Sequence, residues 1–296
     1  MYYVTNTPKQ TGMINIQQLS FGYNRKSLLF RNLNLSLKAG HVYGLLGKNG
    51  AGKSTLLKNI TGMVFPLEGS CQVNGYEASK RLPDMLEDLY FIPEEIYMPA
   101  ITAKQFVANT APFYPHFNEV EFYNYLREFD VSEHAVLSKL SFGQQKKAMI
   151  AFGLATNTSL LIMDEPTNGL DIPSKVQFRR LIASALTENR CMIISTHQVR
   201  DLDSLIDTLV VLHDREIVLN ESLDAIADRL TFTTMSDTSG TEVLYQEDTA
   251  RGMHVIIPNL AGTFSKVDME LLFNAIISGN KSITETLQKP TYEKLF

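Results

Sequence analysis

The sequence predicts an α/β fold built on a mostly parallel sheet. Short, mainly apolar runs recur at 41–46, 160–163 and 192–194, and parallel strands that are buried on both faces show this pattern. Helix-like segments separate these runs, and the last two lead directly into polar residues. Ligands of such sheets bind beyond the carboxyl ends of the strands. We therefore expect a ligand site where these runs end.

The first part of the chain predicts an antiparallel β subdomain. Short strand-like runs at 14–16 and 33–37 are broken by turn residues such as Gly40. The run at 41–46 then enters a glycine-rich loop, and residues 54–60 have the pattern of a helix that begins there.

The middle of the chain predicts a helical insertion at about 95–155. Apolar residues recur near helical spacing from Thr102 to Lys139, and Thr102 is a suitable N-cap. Past Gly143 the helical pattern continues to about Ala155.

The last part of the chain differs in composition. After Leu230 the sequence becomes rich in Thr and Ser, with strand-like runs at 243–245 and 255–257 and a helix near 267–277. We predict a main domain at 12–230 and a small α+β accessory domain at 231–296.

Composition excludes several classes of protein. The chain has 296 residues, 44% of them hydrophobic, so it can bury a large core. The net charge is -5 and the basic residues are scattered, which argues against nucleic acid as a partner. Residues 1–12 are polar, unlike a signal peptide, and no run approaches the ~18 apolar residues of a membrane span. Any membrane role must therefore go through a partner.

A glycine-rich loop follows the run at 41–46. It matches the pattern G-x-x-x-x-G-K-[ST], in which backbone N–H groups at a helix N-terminus converge on phosphate oxygens. In this pattern Lys53 reaches the outer phosphates and Ser54 ligates Mg²⁺. The alternative is a glycine-rich turn with an incidental lysine. The predicted nucleotide-binding residues of the loop are Gly47, Lys48, Asn49, Gly50, Ala51, Gly52, Lys53, Ser54 and Thr55.

Two carboxylates, Asp164 and Glu165, end the apolar run at 160–163. Burying them unpaired would be costly, so they need a cation or a catalytic role. In P-loop enzymes the first such carboxylate holds Mg²⁺, which we assign to Asp164, and Glu165 is placed to orient or deprotonate the attacking water. Taken alone, the segment could be a strand followed by an acidic turn at Pro166. Together with the phosphate loop, it predicts a P-loop NTPase.

The segment at 140–144 reads L-S-F-G-Q. It resembles the L-S-G-G-Q signature of the ABC ATPases, and the resemblance covers about residues 14–220, with Asp171 at the position of the D-loop and His197 at that of the switch histidine. It implies the fold of that family, with ATP and Mg²⁺ as cofactors. In isolation, the segment at 140–144 could also be a simple loop and helix N-cap.

In this family two ATP-binding domains pair head to tail, so that the signature of one covers the ATP held by the other. The resemblance therefore implies that Ser141, Gly143 and Gln144 bind nucleotide across the interface, with Asp171 beside them. It also implies that His197 contacts the γ-phosphate, although a lone histidine is more often structural. The pair could consist of two identical chains or of two different ones.

Tyr23, Phe142 and Glu94 are the positions where the resemblance is least direct. Tyr23 aligns with the aromatic residue that stacks on adenine, although aromatic residues beside a strand usually belong to the core. Phe142 stands where the signature has glycine. The family has glutamine after the strand at 89–92, where this chain has Glu94. Glu94 could ligate Mg²⁺ or signal to a membrane partner, or it could be an ordinary solvated acid.

The resemblance implies an ATP-hydrolysing subunit that drives a separate transmembrane permease subunit, located in the cytoplasm at the inner face of the cell membrane. Residues 267–273 resemble the closing helix of bacterial exporter-type ABC ATPases, or they form an amphipathic helix that closes the accessory domain. The alternative function is an ABC ATPase that acts on nucleic acid or the ribosome; no basic face, long coiled coil or second cassette is visible. A nucleotide kinase would share the phosphate loop, but that function would not explain the segment at 140–144. A regulator that binds nucleotide with little hydrolysis is a further alternative, and the presence of Glu165 and His197 argues against it.

Overall fold

The computed structural model describes residues 12–24, 27–250 and 252–288. The prediction that the N-terminus lacks an apolar leader falls on residues 1–11, which lie outside the described residues. The same holds for residues 289–296 of the predicted accessory domain.

The described residues form strands and helices that alternate along most of the chain. None of their helices is long and apolar enough to cross a membrane. The strands are β1 (Ile14–Phe21), β2 (Phe30–Leu37), β3 (Val42–Leu46), β4 (Glu68–Val73), β5 (Tyr76–Glu77), β6 (Leu89–Ile92), β7 (Leu160–Asp164), β8 (Cys191–Thr196), β9 (Thr208–His213), β10 (Glu216–Ser222), β11 (Leu230–Met235), β12 (Tyr245–Thr249) and β13 (Gly252–Pro258). The α-helices are α1 (Lys53–Ile60), α2 (Pro83–Leu86), α3 (Ala103–Thr110), α4 (Glu119–Glu128), α5 (Phe142–Ala155), α6 (Ile172–Ala185), α7 (Leu223–Arg229), α8 (Met269–Ile277) and α9 (Lys281–Gln288).

Six strands form the central sheet in the order β10-β9-β3-β8-β7-β6. Five of them run parallel and β10 pairs antiparallel with β9, so the mostly parallel sheet is confirmed. All residues of β3, β7 and β8 are buried, which explains their nearly continuous apolar sequence. The register pairs Leu46 with Thr196 and Asp164 with Ser195. The carboxyl ends of these three strands therefore meet at one edge of the sheet.

A second sheet, β2-β1-β4-β5, is antiparallel, as predicted. Leu33, Leu35 and Leu37 alternate along β2 with exposed residues and face the core. Leu56 and Leu57 of α1 lie in the same hydrophobic core. This packing fixes α1 between the two sheets, directly behind the glycine-rich loop.

The predicted helical insertion contains α3, α4 and α5. Thr102 is the N-cap of α3: its hydroxyl accepts a hydrogen bond from the backbone N–H of Gln105, whose side chain accepts one from Thr102 N. Phe152 of α5 lies in an aromatic cluster, with ring centroids 4.9 Å from Phe106 and 5.4 Å from Tyr90 of β6. These contacts hold α5 against the central sheet.

The third sheet, β11-β13-β12, is antiparallel, and α8 packs on it. The predicted run at 255–257 lies within β13, and Asp268 caps α8 at the start of the predicted helix. The run predicted at 243–245 is wrong in extent, because the strand covers Tyr245–Thr249. The strand β11 was not predicted, since only Leu230 and Phe232 alternate with its threonines before the pattern ends.

The hydrophobic core is continuous across the predicted domain boundary. Leu230 and Leu272 belong to the same buried cluster as Met163 and Leu202. Helix α8 also packs on the short 3₁₀ turn that follows β8. The accessory region thus shares a core with the main domain, and a boundary near residue 230 stays a prediction from composition.

Candidate functional site

The glycine-rich loop lies between the end of β3 and the first turn of α1. Gly52 directly precedes α1 and has φ = 109°, in the left-handed region that favours glycine. A Cβ on Gly52 would also lie 2.9 Å from Cζ of Phe30 in the core. Any other residue would therefore strain the backbone and displace the ring. The loop directs the N–H groups of the first turn of α1 to the edge of the sheet, where an anion can bind them.

Lys53 is the first residue of α1, and its side chain is 7% exposed. Its Nζ donates to the carbonyl oxygen of Gly47 at 2.9 Å and lies 3.8 Å from Oε1 of Glu165. The ammonium group therefore joins the loop to the acidic end of β7. A phosphate chain bound in the loop would lie beside this positive charge.

The two carboxylates at the end of β7 are almost fully buried, with Asp164 2% and Glu165 3% exposed. Each accepts a hydrogen bond from β8. Ser195 Oγ donates to Asp164 Oδ1, and Thr196 Oγ1 donates to Glu165 Oε2 at 3.0 Å. Neither hydroxyl was predicted, although both directly precede His197. The sequence signal that could have identified them is the polar end, Ser195 and Thr196, of the otherwise apolar strand β8.

Glu165 is held through both its backbone and its side chain. Its φ of 47° is unusual for a residue other than glycine and persists only where the surroundings fix it. Its N–H donates to the carbonyl oxygen of Ser195 at 3.0 Å, and its own carbonyl oxygen accepts from Lys146 Nζ at 2.8 Å. His197 Nδ1 lies 2.8 Å from Glu165 Oε1. An ionised carboxylate only accepts, so Nδ1 is the donor in this bond, which holds the imidazole ring against Glu165.

Two further groups of the site were not predicted. Lys146 of α5 is fully buried, and burial lowers the pKa of its ammonium group, with nearby carboxylates acting in the opposite direction. Asp201 joins the segment after β8 to the segment after β7, because it accepts from Thr167 Oγ1 at 2.6 Å and from Lys175 Nζ at 2.8 Å. Both groups depend on contacts between distant parts of the chain, so no local motif marks them.

The signature-like segment forms the start of α5. Ser141 is the N-cap: its Oγ accepts from the N–H of Gln144 at 3.3 Å, and Oε1 of Gln144 accepts from the N–H of Ser141 at 3.2 Å. Gly143 packs against the loop that precedes Asp171, where a Cβ on it would lie 2.7 Å from the carbonyl oxygen of Gly169. Glycine is therefore required at this position by contacts within the chain.

Phe142 covers the same loop and is 47% exposed. Its ring lies directly over Gly169, since a Cβ on that glycine would meet the ring at 2.7 Å. Asp171 caps α6 by accepting from the N–H of Ser174 at 2.9 Å, and hydrogen bonds from Ser174 lower the pKa of this carboxyl group. The starts of α5 and α6 therefore lie together. The apolar side chains exposed there are Phe142, Ile172 and Val176.

Tyr23 and Glu94 are exposed members of the predicted set. The side chain of Tyr23 is 70% exposed, and its hydroxyl lies 3.3 Å from Oγ1 of Thr55 on α1. Its ring is thus accessible beside the phosphate loop, as stacking on a base requires. Oε1 of Glu94 accepts from Asn168 Nδ2 at 3.5 Å, and its carbonyl oxygen accepts from Lys146 Nζ at 3.0 Å. The Glu94 carboxylate therefore lies beside the segment that follows β7.

The structure brings the phosphate loop and the acidic residues together through the contacts of Lys53, Glu165 and His197. Among the described residues, Ser141 contacts Gln144 of α5, and Gly143 contacts the loop before α6. These contacts do not connect Ser141 or Gly143 to the phosphate loop of the same chain. The assembled site can bind a phosphate chain and hold a carboxylate that orients or deprotonates a water molecule.

Comparisons with known proteins agree with this geometry. Residues 30–168 match the family model described as ABC transporter. The lantibiotic transport ATP-binding protein SrtF of Streptococcus pyogenes is 30% identical over 218 residues, which cover 72% of this chain and 92% of SrtF. The SkfA peptide export ATP-binding protein SkfE of Bacillus subtilis is 28% identical over 212 residues, which cover 70% of this chain and 87% of SkfE.

Solved structures show the same fold. A structure described as the ATP binding subunit of an ABC transporter matches with a TM-score of 0.66 and 26% identity, covering 72% of this chain and 91% of its own. A dimeric structure of a bacterial ABC transporter cassette matches with a TM-score of 0.63 and 22% identity, covering 71% of this chain and 99% of its own. The second likeness is one of fold alone.

Proposed function

The chain belongs to the ABC transporter family as an ATP-binding subunit that hydrolyses ATP, and from this premise we propose how its residues act. Two chains pair head to tail around MgATP, and closure of the pair drives a separate transmembrane subunit. The observation that carries the proposal is the cluster of Lys53, Glu165 and His197 at the end of β7. A cation and an imidazole lie 3.8 and 2.8 Å from one oxygen of a buried carboxylate, next to a loop suited to phosphate.

On the binding side, residues 47–55 hold the triphosphate. The glycine-rich backbone and the N-terminus of α1 supply N–H donors, and Lys53 adds a charge-assisted contact to the outer phosphates. Tyr23 stacks on the adenine, which its exposed ring beside Thr55 supports.

Ser54 and Asp164 are proposed to hold Mg²⁺. Mg²⁺ takes oxygen ligands and is usually bound by one or two protein side chains together with substrate phosphates and water, so this donor set suits it. The hydrogen bond from Ser195 uses Oδ1 of Asp164 and leaves Oδ2 for a cation. Glu94 is the third proposed ligand. When bound, the ion supplies positive charge to the outer phosphates.

On the acidic side, Glu165 orients or deprotonates the water that attacks the γ-phosphate. His197 is held through Nδ1 by Glu165, and an N–H on its Nε2 donates to the same phosphate. Fixing both groups before the reaction lowers the cost of arranging them during it.

A partner chain completes each site. Ser141, Gly143 and Gln144 at the N-terminus of α5 meet the γ-phosphate of the ATP bound to the other chain, and Asp171 lies at the same interface. The exposed apolar side chains at the starts of α5 and α6 support this interface, because a partner would remove them from water. The partner is a second copy of this chain or a related ATP-binding chain.

The membrane partner is a transmembrane permease subunit, which places the chain on the cytoplasmic side at the inner face of the cell membrane. Names of relatives support an exporter-type transporter, since SrtF is described as a lantibiotic transport protein and SkfE as a peptide export protein. Residues 12–230 form the ATPase domain of this assembly and residues 231–296 an accessory domain.

The variant Glu165→Gln tests the proposal. It should bind MgATP as tightly as the wild type but lose turnover by about 10²- to 10⁴-fold, the usual contribution of a general base. It should also accumulate as a two-chain species in MgATP. Phosphate release measures turnover, and size-exclusion chromatography with light scattering measures mass. Glu188→Gln, at an exposed carboxylate beyond α6, is the matched control and should retain wild-type turnover.

Two results would contradict the proposal. One is a turnover of Glu165→Gln close to that of the wild type. The other is a mass that is the same in MgATP and in MgADP.

A further inference from the structure

Lys146 is a buried lysine that the proposed mechanism does not use. It lies on α5, five residues after Ser141, and is fully buried. Its Nζ donates to the carbonyl oxygen of Glu165 at 2.8 Å and to that of Glu94 at 3.0 Å. The ring centroid of Phe142 lies 5.3 Å from the same Nζ, within reach of a cation–π attraction. One ammonium group thus links the start of α5 to the segments that follow β6 and β7.

Space filling alone does not account for a lysine at this position. Removing an ammonium group from water is costly, and an apolar side chain of similar volume often packs at lower cost. Desolvation accordingly lowers the pKa of Lys146, while the charges of Glu94, Asp164 and Glu165 raise it. What the lysine adds over an apolar residue is a fixed position for two carbonyl groups.

One of these carbonyl groups belongs to Glu165, whose backbone is in the left-handed region. The N–H of Glu165 is already bound to the carbonyl oxygen of Ser195 at 3.0 Å. Lys146 fixes the peptide group on the other side of the same residue. With both flanking peptide groups fixed, the direction of the Cα–Cβ bond of Glu165 is also fixed, and Thr196 and His197 then hold its carboxylate.

We infer that Lys146 is a positioning residue for hydrolysis: it holds Glu165 in its working orientation and makes that orientation depend on α5 and on the segment of Glu94. The inference rests on the proposed function. Ser141, which in the proposed function meets the ATP of the partner chain, is the N-cap of α5, and the segment of Glu94 leads into the helical insertion. A displacement of either element would therefore reach Glu165 through one side chain.

Arg190 provides a matched control at the opposite end of α5. It is 4% exposed, and burial lowers the pKa of its guanidinium group to about 10. Its Nη2 donates to the carbonyl oxygens of Gly153 and Leu154 at 3.1 and 3.2 Å. Removing Arg190 or Lys146 leaves buried carbonyl groups without these donors, so both changes should lower stability. Of these two residues, only Lys146 contacts the ATPase site, through the carbonyl oxygen of Glu165.

The test compares Lys146→Met and Arg190→Met with the wild type in the full chain, well below the Tm of each variant. Lys146→Met should lower kcat by about tenfold, since small displacements of reacting groups have effects of this size or larger, and should leave KM for MgATP within about twofold. Arg190→Met should lower Tm and keep kcat. Lys146→Arg retains the charge and the donors in a larger head group, and its kcat should lie between those of Lys146→Met and the wild type.

Hydrogen exchange followed by mass spectrometry adds a readout that needs no turnover. Lys146→Met should speed exchange at the backbone amides of residues 94–96 and of Glu165, Thr167 and Asn168 relative to the wild type. Arg190→Met should leave these amides unchanged and affect the C-terminal end of α5.

A kcat for Lys146→Met equal to that of the wild type, or an equal loss in Arg190→Met, would overturn the inference. If Lys146→Met does not fold, Lys146→Arg decides: a lower kcat at unchanged KM and Tm supports the inference, and a wild-type kcat overturns it. A wild-type chain without ATPase activity would contradict the proposed function instead. The exchange comparison would then decide the role of Lys146.

Discussion

At the phosphate loop, the groups suited to phosphate belong to the consecutive residues 47–55, whereas the groups that hold Glu165 come from separate parts of the chain. Ser195 and Thr196 approach it from β8, and Lys146 approaches it from α5. The loop requires a left-handed glycine and the first turn of a helix. The acidic end of β7 requires the correct register of two strands and the packing of a third element.

This difference separates binding from turnover. A substitution in the loop removes a contact to the nucleotide and should change affinity. A substitution around Glu165 leaves the loop intact and shifts the carboxylate, so it should change the rate of hydrolysis at nearly constant affinity.

The largest effect on affinity is expected for Lys53→Ala. Its Nζ lies within the loop and beside Glu165, so its loss removes direct charge from the outer phosphates. A hydrogen bond to a charged group contributes ~1.5–3 kcal/mol, which corresponds to a Kd for MgATP raised by about 10- to 150-fold. Isothermal titration calorimetry measures it, with Lys58→Ala on the same helix as the control. An unchanged Kd would contradict the assignment of nucleotide affinity to the loop, because the loop would then not bind the phosphates through Lys53.

A smaller effect is expected at Glu94, which follows β6 and contacts Asn168 in the segment after β7. Its charge is exposed and therefore screened, so Glu94→Gln should shift the Mg²⁺ concentration for half-maximal hydrolysis by only about two- to fivefold. Glu94→Ala should reduce stimulation by the membrane subunit more than it reduces basal turnover. The measurement is an ATPase titration against Mg²⁺, with and without the partner in lipid.

The adjacent Glu95→Gln, at a position that is also exposed, is the control for Glu94 and should resemble the wild type. If both Glu94 variants also overlay the wild type under both conditions, Glu94 is an ordinary surface acid.

Features set by local chemistry could be predicted from the sequence. The loop pattern located α1, the buried apolar run located β7, and the side chain of Thr102 marked the start of α3, because each depends on neighbours within a few residues. The same holds for Ser141, whose partner Gln144 lies three residues later.

Features set by packing could not be predicted in this way. A lysine is almost never fully buried without a partner, so Lys146 gave no sign of its position, and the role of Asp201 depends on Thr167 and Lys175 in other elements. Strand β11 escaped prediction for a related reason. Its threonine side chains fit a half-exposed strand, but only pairing with β13 shows where it lies.

The central claim is that each ATP site is shared by two chains, and mixing two inactive variants tests it most directly. Lys53→Ala removes the phosphate contact of its own chain, and Ser141→Arg blocks the contact offered to the partner. Purification on two different tags isolates the heterodimer. One of its two ATP sites combines an intact Lys53 from one chain with an intact Ser141 from the other, whereas neither homodimer has such a site. We predict ATPase activity in the heterodimer above the sum of the two separate variants. Activity no greater than that sum, in a verified heterodimer, would contradict the shared site.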